Sequence, residues 1–341
     1  MVISNKLDAD ANPPLYIQGS QIEEVASHKY LGVLLSSNLR WKDHIDYIAT
    51  KARKKLNLML PLKMKVDRRS LEIMYRSFVL SSIEYANVVW GGSPDSDLSK
   101  LKRIHLDAMR IITGATSRCN SDNLLSEYGG KNVSDYIRQS SLKMIFNIMN
   151  ENAPQYLIDI HNHIQGERLY DYELRNAKDL RMPFCRLSLL KNSFFPRSIL
   201  LWNELSDEER SATSLAVFKT FLRQNDNEMK VLYYYGDRWP SIHHARMRIG
   251  CSKLQKDLFF NLHVSNNPHC SCGAPTEDAK HFFLHCPNYL DIREQLKQSM
   301  QGLMPVTVRN LLFGNSSFSL KINEQVFDAV HKFIIASKRF D

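Results

Sequence analysis

The sequence predicts a mainly α protein with a small N-terminal β element, and three observations support this fold class. From Trp41 onward, apolar residues recur every three or four positions, which is the period of amphipathic helices. Residues 1–40 instead hold short apolar runs separated by turn residues such as Gly19-Ser20. Three of the six cysteines fall between Cys270 and Cys286, which predicts a small, separate unit near the C-terminus.

The β element is predicted to occupy residues 1–40. Leu15-Tyr-Ile and Gln21-Ile-Glu-Glu-Val flank Gly19-Ser20, which is typical of a hairpin. The stretch from His28 to Leu35 predicts a third strand, which is more apolar than the first two. Met1-Val-Ile-Ser predicts a short strand at the very start, with no residues leading into it, so we expect the chain to be cut from something larger.

Residues 41–118 are predicted to form a bundle of three helices. The first has an apolar stripe from Trp41 to Met59 and ends at Pro61. The second begins near Asp67 and is broken by Gly91-Gly92, and the third begins near Asp95. Short connections between amphipathic helices favour a small bundle, and its remaining faces are basic.

This predicted bundle also carries most of the net charge. The whole chain has a formal charge of +9, and residues 40–118, with 16 Lys and Arg against eight Asp and Glu, account for +8. Concentrated positive charge favours a polyanionic partner, because each neutralised phosphate releases condensed counterions. A solvated helical face is the alternative. The candidate contacts to nucleic acid are Lys51, Arg53, Lys54, Lys55, Arg68, Arg69 and Arg103.

The rest of the chain divides into a helical and extended connector, 119–240, and a cysteine-containing C-terminal region, 241–341. No run approaches 18 apolar residues, which excludes a membrane-spanning helix. The first residues lack the apolar segment of a signal peptide. We therefore expect an intracellular protein, cytoplasmic or nuclear or both, that is not secreted and has no membrane partner.

The cysteine cluster has the spacing of a metal site. Cys270-Ser-Cys272-Gly273, His281 and Cys286 together read C-x-C-x8-H-x4-C. Zn²⁺ takes four such ligands in a tetrahedron, so we predict a structural Zn²⁺ held by these three cysteines and His281. His285 and His269 are rival fourth ligands, although His285 adjoins Cys286. Unpaired thiols in a packed core are the alternative to a metal site.

Several stretches resemble one family. They include His28-Lys-Tyr-Leu-Gly-Val, Leu39-Arg-Trp-Lys-Asp-His-Ile, Tyr85-Ala-Asn-Val-Val-Trp-Gly, Lys191-Asn-Ser-Phe-Phe-Pro-Arg and Cys270-Ser-Cys-Gly with its distal His and Cys. In number, order and spacing, from Met1 to about Phe313, they resemble the C-terminal part of the reverse transcriptase of non-LTR (LINE-type) retrotransposons of the jockey/CR1 kind.

The resemblance gives each region an expected role. Residues 1–40 look like the edge of the palm with its primer grip, and 41–118 look like the thumb that clasps template and primer. The unit around Cys270 looks like a zinc knuckle. The partners implied are RNA or an RNA–DNA hybrid, and upstream parts of a retrotransposon polymerase.

One departure from the family concerns catalysis. The family polymerises with palm carboxylates that include a paired Asp-Asp, which holds two metal ions, and this sequence has no Asp-Asp. We therefore assign no catalytic residue and expect no polymerase activity from this chain alone. One alternative is a truncated version of a full RNA-directed DNA polymerase, which an in-frame Tyr-x-Asp-Asp encoded upstream of Met1 would reveal. The other is a non-functional transposon relic.

Overall fold

The computed structural model describes residues 14–129, 131–166, 179–223 and 228–341. It is 61% helical, with a small β element at the N-terminal end and a Cys/His cluster near the C-terminus. The predicted fold class is therefore confirmed. The strand predicted at Met1-Val-Ile-Ser lies outside the described residues.

The β element consists of two antiparallel hairpins. In the first, β1 (Tyr16–Ile17) pairs with β2 (Ser20–Gln21). In the second, β3 (Ser27–Tyr30) pairs with β4 (Val33–Ser36). The single strand predicted from His28 to Leu35 is wrong, because the chain reverses in its middle. Leu31 and Gly32 both have positive φ, 45° and 84°, as the central residues of a type I′ turn require.

Helix α1 (Lys42–Met59) follows the predicted apolar stripe. Its buried residues are each at most 4% exposed, and they are Ile45, Ile48, Ala52, Leu56 and Met59. The helix ends where predicted, because Pro61 opens a separate 3₁₀ turn, Leu60–Leu62. A proline inside a helix removes a backbone hydrogen bond and clashes with the preceding turn.

The second predicted helix is divided into shorter pieces. Helix α2 (Arg68–Met74) begins at Asp67, whose side chain caps it by accepting a hydrogen bond from Ser70 N at 2.9 Å. A π-helical segment, Tyr75–Leu80, leads to α3 (Ser81–Glu84). Ala86 then has a φ of 52°, which separates α3 from α4 (Asn87–Trp90).

The third predicted helix is α5 (Asp95–Thr113). The remaining described helices follow in chain order: α6 (Ser121–Tyr128), α7 (Val133–Met149), α8 (Gln155–Gln165), α9 (Ser188–Lys191), α10 (Phe194–Asn203), α11 (Asp207–Arg210), α12 (Leu215–Phe221), α13 (Arg238–Ile249), α14 (Leu290–Met300), α15 (Val308–Phe313) and α16 (Leu320–Ala336). Among the described residues, none of these helices has the length and apolarity needed to cross a membrane.

The chain forms two compact units, each assembled from separate stretches of sequence. Among the described residues, unit 1 draws on 14–53, 81–103 and 133–223, and unit 2 draws on 54–80, 104–132 and 228–341. One apolar core of unit 1 centres on Phe146, Trp202 and Phe218. In unit 2, Phe282 and Phe283 pack into a core that α14 and α16 also line. The predicted domains, with boundaries at 40, 118 and 240, stay a prediction.

A buried carboxylate joins three distant segments of unit 2. The side chain of Glu127 is 3% exposed, and its carboxylate pairs with Arg68 NH1 at 2.6 Å and with Arg248 NH2 at 2.8 Å. Arg248 also stacks over the ring of Tyr233, 4.0 Å from its centroid. Burial alone would raise the pKa of Glu127, but the two guanidinium groups outweigh it and lower this pKa. Glu127 therefore stays charged inside the protein.

Cations also cover the C-terminal end of α5, within unit 2. Arg238 donates to the carbonyls of Ile111 and Ile112 at 2.8 and 2.7 Å. Arg246 donates to Gly114 O at 2.8 Å, and Lys63 donates to Ala115 O at 3.3 Å. The last carbonyls of a helix lack partners within the helix and carry its negative dipole end. Arg238 thus caps α5, and Arg246 and Lys63 bind the two residues that follow the helix.

Two buried histidines of unit 2 contact each other. His244 Nδ1 lies 3.3 Å from His331 Nε2, and His244 Nε2 lies 2.9 Å from Leu311 O. Burial, with a smaller contribution from the positive charge of Arg248, lowers the pKa of His331 to about 4. Asp328 has the opposite but smaller effect on this pKa. The pKa of His244 is also lowered by burial. Both imidazoles are neutral at neutral pH.

We expect Glu127→Gln to destabilise the protein. A glutamine cannot neutralise the two buried guanidinium groups, and breaking a buried ion pair typically costs about 3–5 kcal/mol. Urea denaturation followed by circular dichroism would measure the free energy of unfolding. The control is Glu294→Gln, which removes an exposed pair with Lys297 and should cost about 0–1 kcal/mol. Equal losses in both variants would contradict the role of Glu127.

The histidine pair should make stability depend on pH. In the unfolded chain, histidine has its ordinary pKa of 6.5. Below this pH the unfolded chain therefore binds more protons than the folded protein, in which the pKa of His331 is lower. The free energy of unfolding should therefore fall as the pH drops from 6.5 towards 4. For His331 alone the loss between pH 7 and pH 5 is about 2 kcal/mol.

The matched variants for this test are His331→Asn and His163→Asn, whose wild-type side chains are buried and exposed respectively. Urea denaturation at pH 7 and pH 5 should give a smaller pH effect in His331→Asn than in the wild type. His163→Asn should keep the wild-type difference. An unchanged difference in His331→Asn would show that this pair does not titrate as expected.

Candidate functional site

The first two cysteines of the cluster lie on a tight turn in unit 2. Gly273 N donates to Cys270 O at 3.0 Å, and Cys270 N donates to Ala274 O at 3.0 Å. Gly273 has a φ of 90°, which a side chain would strain, so a glycine suits this position.

The other two residues of the cluster lie at either end of a π-helical turn, His281–His285. His281 N donates to Asp278 Oδ1 at 2.8 Å, and Cys286 N donates to His281 O at 2.8 Å. The second of these hydrogen bonds spans five residues. The His-x4-Cys spacing thus returns Cys286 to the side of His281.

The four ligand atoms meet in one place. They all lie within 4.8 Å of one another. The Sγ atoms of Cys270 and Cys286 are 3.7 Å apart, and Cys272 Sγ is 3.3 Å from His281 Nε2. A tetrahedral Zn²⁺ with bonds of about 2.3 Å to sulfur and 2.0 Å to nitrogen would separate two sulfurs by roughly 3.8 Å and a sulfur from a nitrogen by roughly 3.5 Å. The cluster can therefore hold a metal ion.

The thiols of this cluster differ in their environments. Cys286 is fully buried, and burial raises the pKa of its thiol to about 12. Cys272 is partly exposed, and a hydrogen bond from the backbone of Ala274 lowers the pKa of its thiol. Thiols coordinate as thiolates, so a metal ion displaces these protons when it binds.

Two buried charged residues position the cluster, and the sequence did not reveal either. Glu277 is 2% exposed, and its carboxylate accepts hydrogen bonds from Arg339 NH2 at 2.7 Å and from Gln255 N at 2.9 Å. Its own N–H donates to Pro268 O at 2.8 Å, just before the cysteine turn. Arg293 is 5% exposed and donates to the carbonyls of Phe283 and Cys286. The Arg339 partner of Glu277 lies 62 residues away, too far for spacing along the chain to indicate it.

The rival histidines lie outside the cluster. His285 is exposed, and so is His269, whose backbone N–H donates to Asn267 Oδ1 at 3.0 Å. Neither residue is among those whose ligand atoms converge. Of the three histidines considered, His281 is the one whose imidazole nitrogen lies beside the sulfur atoms.

Six of the seven basic residues proposed from the sequence reach the surface at least in part. Lys51, Lys54, Arg69 and Arg103 are exposed, and Arg53 and Lys55 are half-buried. Lys55 Nζ donates to Phe78 O at 2.8 Å. Lys51, Lys54 and Lys55 all lie on α1, at helical positions i, i+3 and i+4, which places them close together on the helix.

Arg68 is a correction to the predicted set. It is 3% exposed, and its guanidinium group is held by Glu127 through NH1 at 2.6 Å and through NH2 to the backbone carbonyl at 3.0 Å. Taking it out of this pair would leave a buried carboxylate unbalanced. Its position in a basic run did not indicate that Arg68 is buried, because its partner Glu127 lies 59 residues away in the sequence.

A small cleft in unit 1 adjoins this basic helix. Its volume is about 190 Å³, and Gly32, His44, Tyr47, Lys51 and Tyr85 are among the residues that line it. Tyr85 Oη donates to Leu31 O at 2.6 Å, and Lys29 Nζ donates to Tyr47 Oη at 2.9 Å, which lowers the pKa of Tyr47. The cleft thus combines two aromatic rings with a cation.

Comparison with known proteins gives matches among curated protein sequences, but not among family models or solved structures. No family model matches the chain, and no solved structure matches it. The curated proteins do give matches, and the chain spans only 15 to 27% of the length of three of these relatives.

The three relatives are all polymerases of mobile elements. The chain is 25% identical, over 58% of its length, to the probable RNA-directed DNA polymerase from transposon X-element of Drosophila melanogaster. It is 25% identical, over 38%, to the RNA-directed DNA polymerase from mobile element jockey of Drosophila funebris. It is 19% identical, over 86%, to the retrovirus-related Pol polyprotein from type-1 retrotransposable element R1 of Bradysia coprophila. The resemblance indicated by the sequence motifs is confirmed: the curated relatives of this chain are RNA-directed DNA polymerases of non-LTR retrotransposons, at modest identity.

Proposed function

We propose that this chain is a nucleic-acid-binding, C-terminal segment of a retrotransposon RNA-directed DNA polymerase. Its ligand is RNA or an RNA–DNA hybrid, bound through the phosphate backbone. The observation that carries this proposal is the concentration of charge: residues 40–118 have a net charge of +8, and Lys51, Lys54, Arg69 and Arg103 are exposed. Contacts of this kind are electrostatic and tolerate any sequence.

The aromatic cleft supports the same proposal. Lys51 lies in it beside Tyr47 and Tyr85, and single-stranded nucleic acids bind where cations track the backbone and aromatic rings stack with bases. Polymerisation in the family needs paired carboxylates, and this sequence has no Asp-Asp. We therefore assign the chain a binding role, and the catalytic step to other parts of a longer polymerase.

We also propose that the Cys3His cluster is a structural Zn²⁺ site with the ligands Cys270, Cys272, His281 and Cys286. The separations of its ligand atoms support a tetrahedral ion. All four positions are filled by protein ligands, which is typical of a structural rather than a catalytic site. Zn²⁺ bound here would stabilise the local fold, because its binding energy contributes to folding.

Replacing His281 should weaken metal binding. Purified wild-type protein should contain about one Zn²⁺ per chain by mass spectrometry, as a closed four-ligand site requires. In His281→Ala the Zn²⁺ affinity should fall at least tenfold, since even loss of a residue that only supports a ligand costs about 10–100-fold. EDTA should lower the melting temperature of the wild type.

The matched control is His285→Ala, which changes an exposed histidine in the same π-helical turn. It should retain wild-type zinc content and wild-type sensitivity to EDTA. If His285→Ala lost the metal while His281→Ala kept it, the assignment of the fourth ligand would be wrong. If both kept the full content, the cluster would not be the site.

Neutralising the basic face of α1 should weaken nucleic-acid binding and its dependence on salt. We expect Lys51→Gln with Lys54→Gln to lower the slope of log K against log[salt] by about 2, since each phosphate contact contributes about 1. Fluorescence anisotropy with a labelled RNA–DNA hybrid, at several salt concentrations, measures this slope. The same measurement with a labelled single-stranded RNA compares RNA with the RNA–DNA hybrid as the ligand.

The control variant is Lys297→Gln with Lys321→Gln, which removes the same charge from exposed lysines elsewhere. It should leave the slope close to that of the wild type. A slope that falls equally in both variants would indicate a response to net charge alone. Affinity that does not change with salt in the wild type would overturn the proposed phosphate contacts.

A further inference from the structure

The segment 180–191 of unit 1 lies at the surface, outside the basic region 40–118 and the metal centre. Its first half, up to Arg186, belongs to no helix or strand. Four of its large apolar side chains are exposed, and they are Met182, Phe184, Leu187 and Leu190. The most exposed is Phe184, at 82%. Single exposed apolar residues are normal on a protein surface, whereas four within nine positions indicate a site for a partner.

Two side-chain amides fix the chain at the start of this segment. Asn203 Oδ1 accepts a hydrogen bond from Leu180 N at 2.9 Å, and Asn203 Nδ2 donates to Leu180 O at 2.9 Å. Gln165 does the same for Arg181: its Oε1 accepts from Arg181 N at 2.8 Å, and its Nε2 donates to Arg181 O at 3.3 Å. Each amide satisfies both backbone groups of its residue. The backbone is therefore held in place just before Met182, so that binding a partner requires little further ordering.

The segment 180–191 is also positively charged. It contains Arg181, Arg186 and Lys191 and no Asp or Glu. All three cations are exposed, and none of them pairs with a carboxylate in the part of the chain that the structure describes. The guanidinium group of Arg186 lies 5.7 Å from the ring centroid of Phe184, which places a cation beside an exposed aromatic ring. An anionic partner therefore fits this surface better than a neutral apolar one.

We propose that the segment 180–191 binds single-stranded nucleic acid, with an unpaired base stacked on Phe184 and phosphates against its three cations. This inference rests on the nucleic-acid-binding function proposed above, and it adds a second contact surface and the form of the strand. Aromatic rings and guanidinium planes stack with bases that are splayed out of a helix. In a duplex each base is already paired and stacked, so its faces are not available to Phe184.

The test measures binding of the full chain to a labelled single-stranded RNA and to a fully paired RNA–DNA hybrid by fluorescence anisotropy. In Phe184→Ala the affinity for the single strand should fall about 5- to 140-fold, which is the effect of removing one stacked ring. The affinity for the paired hybrid should stay near that of the wild type. Phe184→Tyr keeps an aromatic ring and should bind the single strand as the wild type does.

The matched control is Tyr156→Ala, which removes another exposed aromatic ring of unit 1, on α8. It should bind both ligands with wild-type affinity. The cations are tested by Arg181→Gln with Arg186→Gln, which should lower the slope of log K against log[salt] for the single strand by about 1.4, since each phosphate contact to a single strand contributes about 0.7. All these side chains are exposed, so the melting temperatures of the variants should match that of the wild type.

Equal losses for the single strand and the hybrid in Phe184→Ala would overturn base stacking at this site. If Phe184→Ala bound both ligands as the wild type does, the site would be wrong and its apolar side chains would serve a protein partner instead. Salt-dependent binding that is weakened only by Lys51→Gln with Lys54→Gln would likewise exclude this site, but it would leave the proposed function in place. A wild type that bound neither ligand would overturn both.

Discussion

The charge of Glu127 is the constraint on which the assembly of unit 2 depends. A carboxylate that is 3% exposed is tolerable only if it is paired and hydrogen-bonded. Arg68 and Arg248 satisfy it, and they come from α2 and α13, which are far apart in the sequence. Tyr233 covers Arg248 with its ring. Any arrangement that separated these segments would leave buried charges without partners, so this network selects one packing of the unit.

The metal centre depends on its surroundings in a similar way. Glu277 fixes the chain that enters the cysteine turn, and Arg293 holds the carbonyls at the end of the π-helical turn. Between Cys272 and Cys286, Phe282 and Phe283 are fully buried in the unit 2 core. The ligand atoms are thus positioned by packing and by ion pairs with the surrounding residues of unit 2.

Local patterns predicted what depends on local interactions. The stripe of α1, the start of the second helix near Asp67 and the four members of the Cys/His cluster follow from local patterns along the chain. Spacing failed where the outcome depends on distant residues: Arg68 belonged to a basic run and turned out to be buried, because its partners are remote in sequence. The run from Tyr30 to Leu35 is apolar apart from Gly32, so periodicity did not indicate the reversal at Leu31 and Gly32.

The discontinuous composition of unit 2 has a consequence for its synthesis. Glu127 and Arg68 leave the ribosome before Arg248, which follows Glu127 by 121 residues. At about 5–20 residues per second, translation needs roughly 6 to 24 seconds to supply it. During that interval the carboxylate of Glu127 lacks one of its two partners, because Arg248 has not yet been synthesised. Unit 2 is therefore completed only when translation has passed Arg248, and the nascent chain must stay protected from misfolding until then.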